Sequence, residues 1–376
     1  MQSIKVKGQE CYQETNYEIF KHSEMIKMKE LKLSEEEKQL LDAIRSIELY
    51  PDDEDTGKTL TSTPENLRSR GILIQKWTLG KQAVPPDFTN AFESLLMKRL
   101  IKHEGSAYTL TPLGRPYAVR ARNERVGKRF SDILIRSERS KAYSTFCERV
   151  FGKNLCQANL MDMTQLEKLL EVLNLTSKNR VLDMGCGIGK IAEYISDVTH
   201  AHVLGIDIAA EAIKRAQART RKKRNRLEFQ ENDLNNLTLP QSSVDTIIAI
   251  ATLHYAENLE KTIGQMKALL TPHGQMGLFS FQYCSVNDDP DILLPNNTHL
   301  AQALKNHNLP FQTWDFTETE KEIWHRQLQA ARELMEEFRA EGNLDLCEDR
   351  IEECEEDLPR LEAGTKRQYL YHVQLP

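Results

Sequence analysis

One short stretch of the sequence combines an acidic residue with three closely spaced glycines, a pattern that suits the binding of a nucleoside. The run RVLDMGCGIG places Asp183 near the end of an apolar segment and then glycines at Gly185, Gly187 and Gly189. Gly185 and Gly187 allow backbone torsions and a close approach that a side chain would block, and Gly189 allows tight packing of the next helix. Amides at a helix N-terminus can face a ligand. One helix later a second apolar run reaches Asp207, whose carboxylate can accept hydrogen bonds from the two hydroxyls of a ribose.

The spacing of these residues resembles a known cofactor motif. Nicotinamide-binding folds use Gly-x-Gly-x-x-Gly, whereas Asp-x-Gly-x-Gly-x-Gly resembles the first motif of class I S-adenosylmethionine-dependent methyltransferases. The resemblance covers roughly residues 166–281 and includes ENDLNNL at the third strand and HGQ before the fifth. It implies that Asp183 and the glycine turn hold the methionine end of S-adenosylmethionine and that Asp207 holds its ribose. The other positions that it assigns to the cofactor are Cys186, Ile208, Asp233, Leu234 and Ala251.

Methyl transfer from a sulfonium asks the protein to hold the nucleophile, the methyl group and the sulfur in line and to keep water out. An amine or hydroxyl acceptor must also lose a proton, so a nearby base can help. His254, after the fourth strand, is the first candidate for that base, with a loop-capping histidine as the alternative. Tyr143 is the second candidate, with a merely packed tyrosine as its alternative. No cluster with metal-ligand spacing is visible, so no metal is expected.

The segment just before the glycine turn bears on the acceptor. AYSTFCERVFGKNLCQANL, with TLHYAEN, is similar to the small-molecule N-methyltransferases that act on phosphoethanolamine, glycine and sarcosine. Glu148, Phe151 and Gly152 match a Tyr-Glu-x-x-Phe-Gly element of that family, while Cys147 replaces its tyrosine and residues 159–160 replace a Gly-Gly pair. The resemblance implies a small-molecule acceptor, methylated at nitrogen in preference to oxygen or carbon. Candidate acceptor-binding residues are Gln157, Tyr255, Tyr283 and Asp315.

Two other functions remain open at this point. One is a methyltransferase that modifies RNA or protein, and the other is a non-catalytic regulator that senses the cofactor and binds DNA. After the fourth strand the chain reads IATLHY, so the Asn-Pro-Pro-Tyr-type tetrad of many amino-directed nucleic-acid enzymes is absent. The small-molecule enzyme is therefore the preferred interpretation.

The elements around these motifs predict an α/β fold. From Leu166 onward, strands alternate with helices, which predicts a Rossmann-like, seven-stranded, mostly parallel sheet. Two acidic amphipathic segments separated by Gly342 predict a helical hairpin inserted at residues 317–363, before the last strand. In the family's strand order this hairpin leaves the rim of the active site. We expect it to cover the substrate, with a dimer contact or a solvated arm as the alternative, and the residues expected nearest the pocket are Trp314, Asp315, Trp324 and His325.

The N-terminal part has a different pattern. Residues 1–115 show the order of a mainly helical, winged-helix-like domain, with a helix at about residues 87–102. Residues 116–160 form a connector helix and lid segment, and residues 161–376 form the methyltransferase domain. The basic residues of the connector favour a solvated helix over a nucleic-acid contact. A homodimer through the N-terminal domain, or closure over the substrate, is preferred to DNA binding.

Composition sets the broad class. The 376 residues carry a formal net charge of -6, which argues against a nucleic-acid partner. The N-terminus has no apolar segment typical of a signal peptide, and no run of about 18 apolar residues predicts a membrane span. The seven cysteines show no Cys-x-x-Cys spacing, so we expect free thiols and a cytoplasmic location.

Overall fold

The structure is a computed structural model that describes residues 31–51, 59–80, 83–158, 161–285 and 288–375. It divides into two compact units, with the boundary between Arg125 and Val126. The expectations for the N-terminus and for residues 159–160 lie outside the described residues.

Within the described residues, the first unit contains three helices, a hairpin and the start of a long helix. Helix α1 begins with a capping box, in which the Ser34 hydroxyl and the Glu37 carboxylate each accept a hydrogen bond from the other residue's backbone amide. The helix predicted at about residues 87–102 is shorter than expected, because Arg99 adopts a left-handed backbone conformation and a strand starts at Ile101. A winged helix stays a prediction. The elements are α1 (Glu35–Leu49), α2 (Pro64–Leu79), α3 (Thr89–Met97), β1 (Ile101–Glu104), β2 (Ala107–Leu110) and α4 (Gly114–Arg139), which continues into the second unit.

The second unit is built around the seven-stranded sheet that the sequence predicts. Its elements are α5 (Lys141–Phe151), α6 (Met163–Leu173), β3 (Arg180–Met184), α7 (Lys190–Thr199), β4 (His202–Asp207), α8 (Ala210–Arg219), β5 (Leu227–Glu231), β6 (Val244–Ile250), α9 (Leu259–Leu269), β7 (Leu270–Tyr283), α10 (His299–Asn306), β8 (Phe311–Asp315), α11 (Thr317–Glu333), α12 (Met335–Ala340), α13 (Leu344–Glu362) and β9 (Lys366–Gln374).

The strand order across the sheet is β5-β4-β3-β6-β7-β9-β8. Strands β3 to β7 pair in parallel, whereas β9 is antiparallel to both of its neighbours. Alternate residues of β3 enter different apolar layers, Val181 on one face and Leu182 and Met184 on the other. This arrangement confirms the predicted fold class and brings the carboxyl ends of β3, β4 and β6 to one edge of the sheet.

The segment between β8 and β9 is helical, as predicted, but it forms three helices instead of two. Helix α12 is short, and Gly342, in the left-handed region at φ +72°, reverses the chain before α13. We call residues 317–362 the insertion. Its apolar side chains Ile323 and Phe338 pack in one cluster with Phe146 of α5, so the insertion belongs to the core of the second unit.

Candidate functional site

The turn after β3 needs glycine for reasons that the structure makes specific. Gly185, Gly187 and Gly189 have φ values of +76°, +54° and +74°, in the region that side chains disfavour. A Cβ atom at Gly185 would lie 2.3 Å from Thr252 Oγ1, and one at Gly189 would lie 2.3 Å from the ring of Phe229. The turn is therefore held close to β6 on one side and to β5 on the other.

Asp207, at the end of β4, shapes this turn directly. Its Oδ2 accepts a hydrogen bond from the Gly187 amide at 2.8 Å, and its Oδ1 accepts one from the Ala209 amide at 2.8 Å. The residue is only half-buried, so its carboxylate retains acceptor capacity toward a ligand. This placement fits the predicted ribose contact.

Asp183 lies at the carboxyl end of β3 and is almost fully buried, at 3% exposure. Its Oδ2 receives no hydrogen bond from any residue that the structure describes. Burial, followed by the negative charge of Asp207, raises the pKa of the Asp183 carboxyl to about 7. A buried acceptor without a donor is costly, so a cationic or hydrogen-bond-donating ligand would stabilise it.

The remaining predicted cofactor positions surround the same edge. Cys186 follows Gly185 in the turn, and Ala251, after β6, has an unusual φ of +47°. The Ile208 carbonyl oxygen lies against Gly127 of α4, where a Cβ atom would approach it to 2.5 Å. Asp233 accepts a hydrogen bond from the Asn235 amide at 2.9 Å, and Leu234 packs partly buried on the core.

His254 and Tyr255 lie in the short turn that follows β6. Both side chains reach solvent, yet protein atoms surround them closely enough for burial to dominate their titration. Burial, aided by the positive charge of Lys366, lowers the pKa of His254 to about 4, so the imidazole is neutral at pH 7. Its ring lies 3.9 Å from that of Tyr255 and 5.0 Å from that of Phe281 between centroids.

Tyr283, the last residue of β7, contacts the insertion. Its hydroxyl donates to Asp357 Oδ1 at 3.1 Å, and Lys366 Nζ forms an ion pair with Asp357 Oδ2 at 2.9 Å. The Lys366 ammonium also lies 5.1 Å from the centre of the Phe281 ring. The first residue of β9 therefore contributes a buried cation between the sheet and the insertion.

Three of the predicted residues have their polar groups engaged elsewhere. The Tyr143 hydroxyl is buried and donates to the Gln157 backbone carbonyl at 2.9 Å, which makes Tyr143 a packing residue and not a base. The Gln157 side chain bonds the Leu155 amide and the Lys153 carbonyl. Asp315 accepts from the Thr317 amide at the start of α11.

The residues expected nearest the pocket, in the insertion and just before it, also lie in positions that differ from the prediction. Trp324 is buried, with its ring 4.9 Å from Lys366 Nζ, whereas His325 is exposed and lies 3.8 Å from Glu362. Trp314 lies beside Lys168 of α6. Of these three residues, Trp324 is the one whose ring lies close to the Lys366 ammonium group.

The residues that sequence reasoning missed lie mainly on α13. Arg350, Glu353 and Asp357 are spaced by three and four residues and so share one face of the helix. The charges of Glu353, Arg350 and Asp207 all act on the Tyr255 hydroxyl, whose pKa is raised mainly by burial. This helix face therefore lies near Tyr255. The spacing of these three residues was visible in the sequence, but no neighbouring motif linked them to the site.

Three further features concern the described part of the chain: metal ligands, cysteines and membrane-spanning helices. No group of three or more His, Cys, Asp or Glu side chains there could hold a metal ion. The six cysteines within it are free thiols, and Cys11 lies outside it. None of the helices in these ranges combines the length and apolar character that crossing a lipid bilayer requires.

The fold and the glycine turn together define a class I S-adenosylmethionine-dependent methyltransferase domain. Residues 175–342 match a family model described as a methyltransferase domain, and the chain carries that domain. The cofactor of this domain is S-adenosylmethionine. Asp183, with its unsatisfied oxygen, and the half-buried Asp207 are suited to its ammonium group and its ribose.

Curated relatives match parts of the chain. A phosphoethanolamine N-methyltransferase of Plasmodium falciparum is 30% identical over 144 residues, which cover 38% of this chain and 52% of that protein. Sterol 24-C-methyltransferase ERG6B of Gibberella zeae is 30% identical over 115 residues, covering 30% of each chain. The chain thus spans about half, or less, of the length of these relatives.

A solved structure shares the fold. Phosphoethanolamine N-methyltransferase 2 of Haemonchus contortus, in complex with phosphomonomethylethanolamine and S-adenosylhomocysteine, superposes with a TM-score of 0.53 at 18% identity. The match covers 66% of this chain and 60% of that one. At this identity the similarity shows the fold alone.

Proposed function

We propose that the protein is an S-adenosylmethionine-dependent methyltransferase that acts on a small polar molecule, with nitrogen as the favoured acceptor atom. The observation that carries this proposal is the position of the exposed His254, two residues after Thr252, whose side chain lies against Gly185 of the glycine turn. The N-methyltransferase among the relatives supports the choice of nitrogen.

When bound, S-adenosylmethionine supplies a methyl group on a positively charged sulfur. In the balanced reaction the sulfur–methyl bond breaks, a nitrogen–methyl bond forms, and the acceptor nitrogen loses one proton. Asp183 and Asp207 hold the two ends of the cofactor site, and the aromatic rings of Phe281 and Tyr255 exclude water from one side. His254 can accept the proton because its ring is unprotonated at neutral pH, but its lowered pKa makes it a weak base, so the proton then passes to water.

A small acceptor is also supported by the ion pairs of α4 and α5. Arg136 pairs with Asp345 at 2.5 Å, and Arg149 pairs with Glu333 at 3.1 Å. These basic residues are neutralised by the acidic insertion, so they form no exposed basic surface of the kind that binds nucleic acid. This favours a metabolite over RNA as the acceptor.

The test is methyl transfer from radiolabelled cofactor to a panel of amines, phenols and RNA. We expect labelled product with an amine, and a large loss of turnover in His254→Gln. His325→Gln, at an exposed position of the insertion, is the matched control and should keep full activity. Tight cofactor binding by calorimetry with no transfer to any acceptor would reject the enzyme assignment, and transfer to RNA alone would reject the small acceptor.

A further inference from the structure

We propose that Asp357 of α13 is a positioning residue for methyl transfer, because its carboxylate fixes the aromatic rings against which His254 packs. This inference rests on the proposed function, in which His254 accepts the proton. It assigns to Asp357 a role that is exerted through its neighbours and not by contact with the reacting atoms.

Three donors from separate elements converge on the Asp357 carboxylate. The Lys366 ammonium pairs with its Oδ2 at 2.9 Å. The Tyr283 hydroxyl donates to its Oδ1 at 3.1 Å, and Arg360 Nη1 donates to the same oxygen at 3.2 Å. Tyr283 ends β7 and Lys366 begins β9. Because hydrogen bonds to a charged group are the strong ones, this single carboxylate joins the insertion firmly to two adjacent strands.

The strand register explains why Lys366 and Tyr283 meet at one carboxylate. In the antiparallel pair of β7 and β9, Lys366 lies directly opposite Tyr283, so their side chains share one face of the sheet. Phe281, two residues before Tyr283, points to that face as well. The Lys366 ammonium accordingly lies 5.3 Å from the centre of the Tyr283 ring and 5.1 Å from that of Phe281. The cation therefore packs against both rings, and Asp357 holds the cation in place.

The contacts continue from these rings to His254. The ring centroids of Tyr283 and Phe281 are 5.0 Å apart, and those of Phe281 and His254 are also 5.0 Å apart. Both separations are typical of aromatic side chains in contact. A displacement of Tyr283 or Lys366 would therefore reach the imidazole through direct packing. The orientation of that imidazole decides whether it can take a proton from the acceptor.

Burial makes this arrangement depend on the charge of Asp357. Lys366 is 2% exposed, and within the described ranges Asp357 is the carboxylate with which it forms an ion pair. A buried ammonium without such a partner is strongly unfavourable. In Asp357→Asn the amide oxygen can keep the hydrogen bond from Tyr283, but the Lys366 ammonium would turn toward water and leave the two rings.

The alternative is that Asp357 only stabilises the insertion. Asp357→Asn would then lower the melting temperature, while the folded protein would keep its kinetics and the environment of His254. A positioning role predicts instead that the folded variant loses turnover with unchanged affinity for the cofactor. Glu356→Gln is the matched control, because Glu356 is exposed, precedes Asp357 and pairs with the same Arg360 at 2.9 Å.

The experiment combines two measurements on the full chain. The first is steady-state methyl transfer with the panel amine that gives the most labelled product. The second is NMR of the histidine rings in the absence of an acceptor, with the His254 signals identified by their loss in His254→Gln. We expect Asp357→Asn to lower kcat about tenfold or more, with an unchanged KM for S-adenosylmethionine, and to shift the His254 resonances. Glu356→Gln should match the wild-type protein in both measurements.

Unmoved His254 resonances in Asp357→Asn, or a loss of turnover no larger than that in Glu356→Gln, would overturn the proposal. If Asp357→Asn fails to fold, Tyr283→Phe takes its place, because it removes only the hydroxyl that Asp357 holds. The His254 resonances should shift in that variant too, and unchanged resonances would again reject the positioning role.

The same data separate this inference from the proposed function. Methyl transfer that is equally fast in His254→Gln would refute the proposed function, while shifted His254 resonances in Asp357→Asn would still establish that Asp357 positions the ring. Methyl transfer that requires His254 but is indifferent to Asp357 would support the proposed function and refute the positioning role.

Discussion

The Gly187 amide donates a hydrogen bond of 2.8 Å to the carboxylate of Asp207, twenty residues further along the chain. This bond joins the end of β4 to the turn that follows β3. Asp207 is therefore part of the architecture of the turn as well as a candidate ribose contact, and its two roles depend on the same two oxygens.

Replacement of Asp207 by alanine should weaken cofactor binding at least about tenfold and lower the free energy of unfolding by about 2 kcal/mol, because a charge-assisted hydrogen bond contributes about 1.5–3 kcal/mol. Calorimetry and denaturant unfolding measure the two effects. Glu231→Gln, at the exposed end of the adjacent strand, should change neither. Wild-type affinity in Asp207→Ala would remove Asp207 from the site.

Cofactor affinity should increase as pH rises toward 7. The folded Asp183 carboxyl has a pKa of about 7 against an ordinary value of 3.8, and a cationic ligand binds its ionised form. Binding below pH 7 should therefore release a proton, measurable by calorimetry in buffers of different ionisation enthalpy. Without ligand, the same raised pKa makes Asp183 favour folding below pH 4 and lose that contribution as pH rises through 7. Asp183→Asn should abolish both dependences, and a flat affinity profile in the wild-type protein would contradict this assignment.

His254 should remain unprotonated, and so able to act as a base in methyl transfer, down to low pH. His254 has a pKa of about 4, so the acid limb of the rate profile should fall near pH 4 instead of near 6.5. Lys366→Met removes the cation that disfavours protonation, so the pKa of His254 should rise and the limb should move to higher pH. The imidazole resonances of His254 give this pKa directly by NMR. No movement in Lys366→Met would exclude an electrostatic effect of Lys366 on His254.

Phe338→Ala should destabilise the second unit by about 3–5 kcal/mol, the usual cost of deleting a large buried ring. Phe338 is fully buried and lies edge-on to Tyr143 and Phe146 of α5. Urea unfolding followed by circular dichroism measures the change. A loss below about 1 kcal/mol would mean that the insertion packs loosely. Deleting the whole insertion is a poor test of its function, since it would expose the apolar cluster that Phe338 forms with Tyr143 and Phe146.

Gly127→Ala should destabilise the protein although it lies inside a helix. Alanine is normally favoured over glycine there by about 1 kcal/mol. At this position, however, its Cβ would lie 2.5 Å from the Ile208 carbonyl oxygen, next to Asp207, and a backbone atom cannot easily move away. We expect a lower melting temperature and weaker cofactor binding. A higher melting temperature would show that α4 can shift without cost.

The parts of the site that local sequence could predict are those built by consecutive elements. The glycine turn, Asp183 and Asp207 follow directly from strand–turn–helix order, because parallel strands bring their carboxyl ends to one edge. The same periodicity predicted the sheet and the helical insertion. The spacing of these residues and elements along the chain was therefore enough to predict them.

The acceptor side could not be predicted in the same way. Tyr143 and Gln157 looked available in the sequence, but a single local loop uses the hydroxyl of one and the amide of the other. Conversely, Lys366 acts on His254, and Glu353 acts on Tyr255, only because an antiparallel strand and an insertion from much later in the chain return to the site. Contacts of that range leave no periodic signal.

Strand β9 is the last of the sheet in chain order, yet it lies between β7 and β8. While the ribosome is making the insertion, β7 keeps an unpaired edge and β8 has no neighbour to join. Exposed strand edges are templates for aggregation. The interval before residues 366–374 emerge is thus the vulnerable period of biosynthesis, in which chaperones would be expected to act.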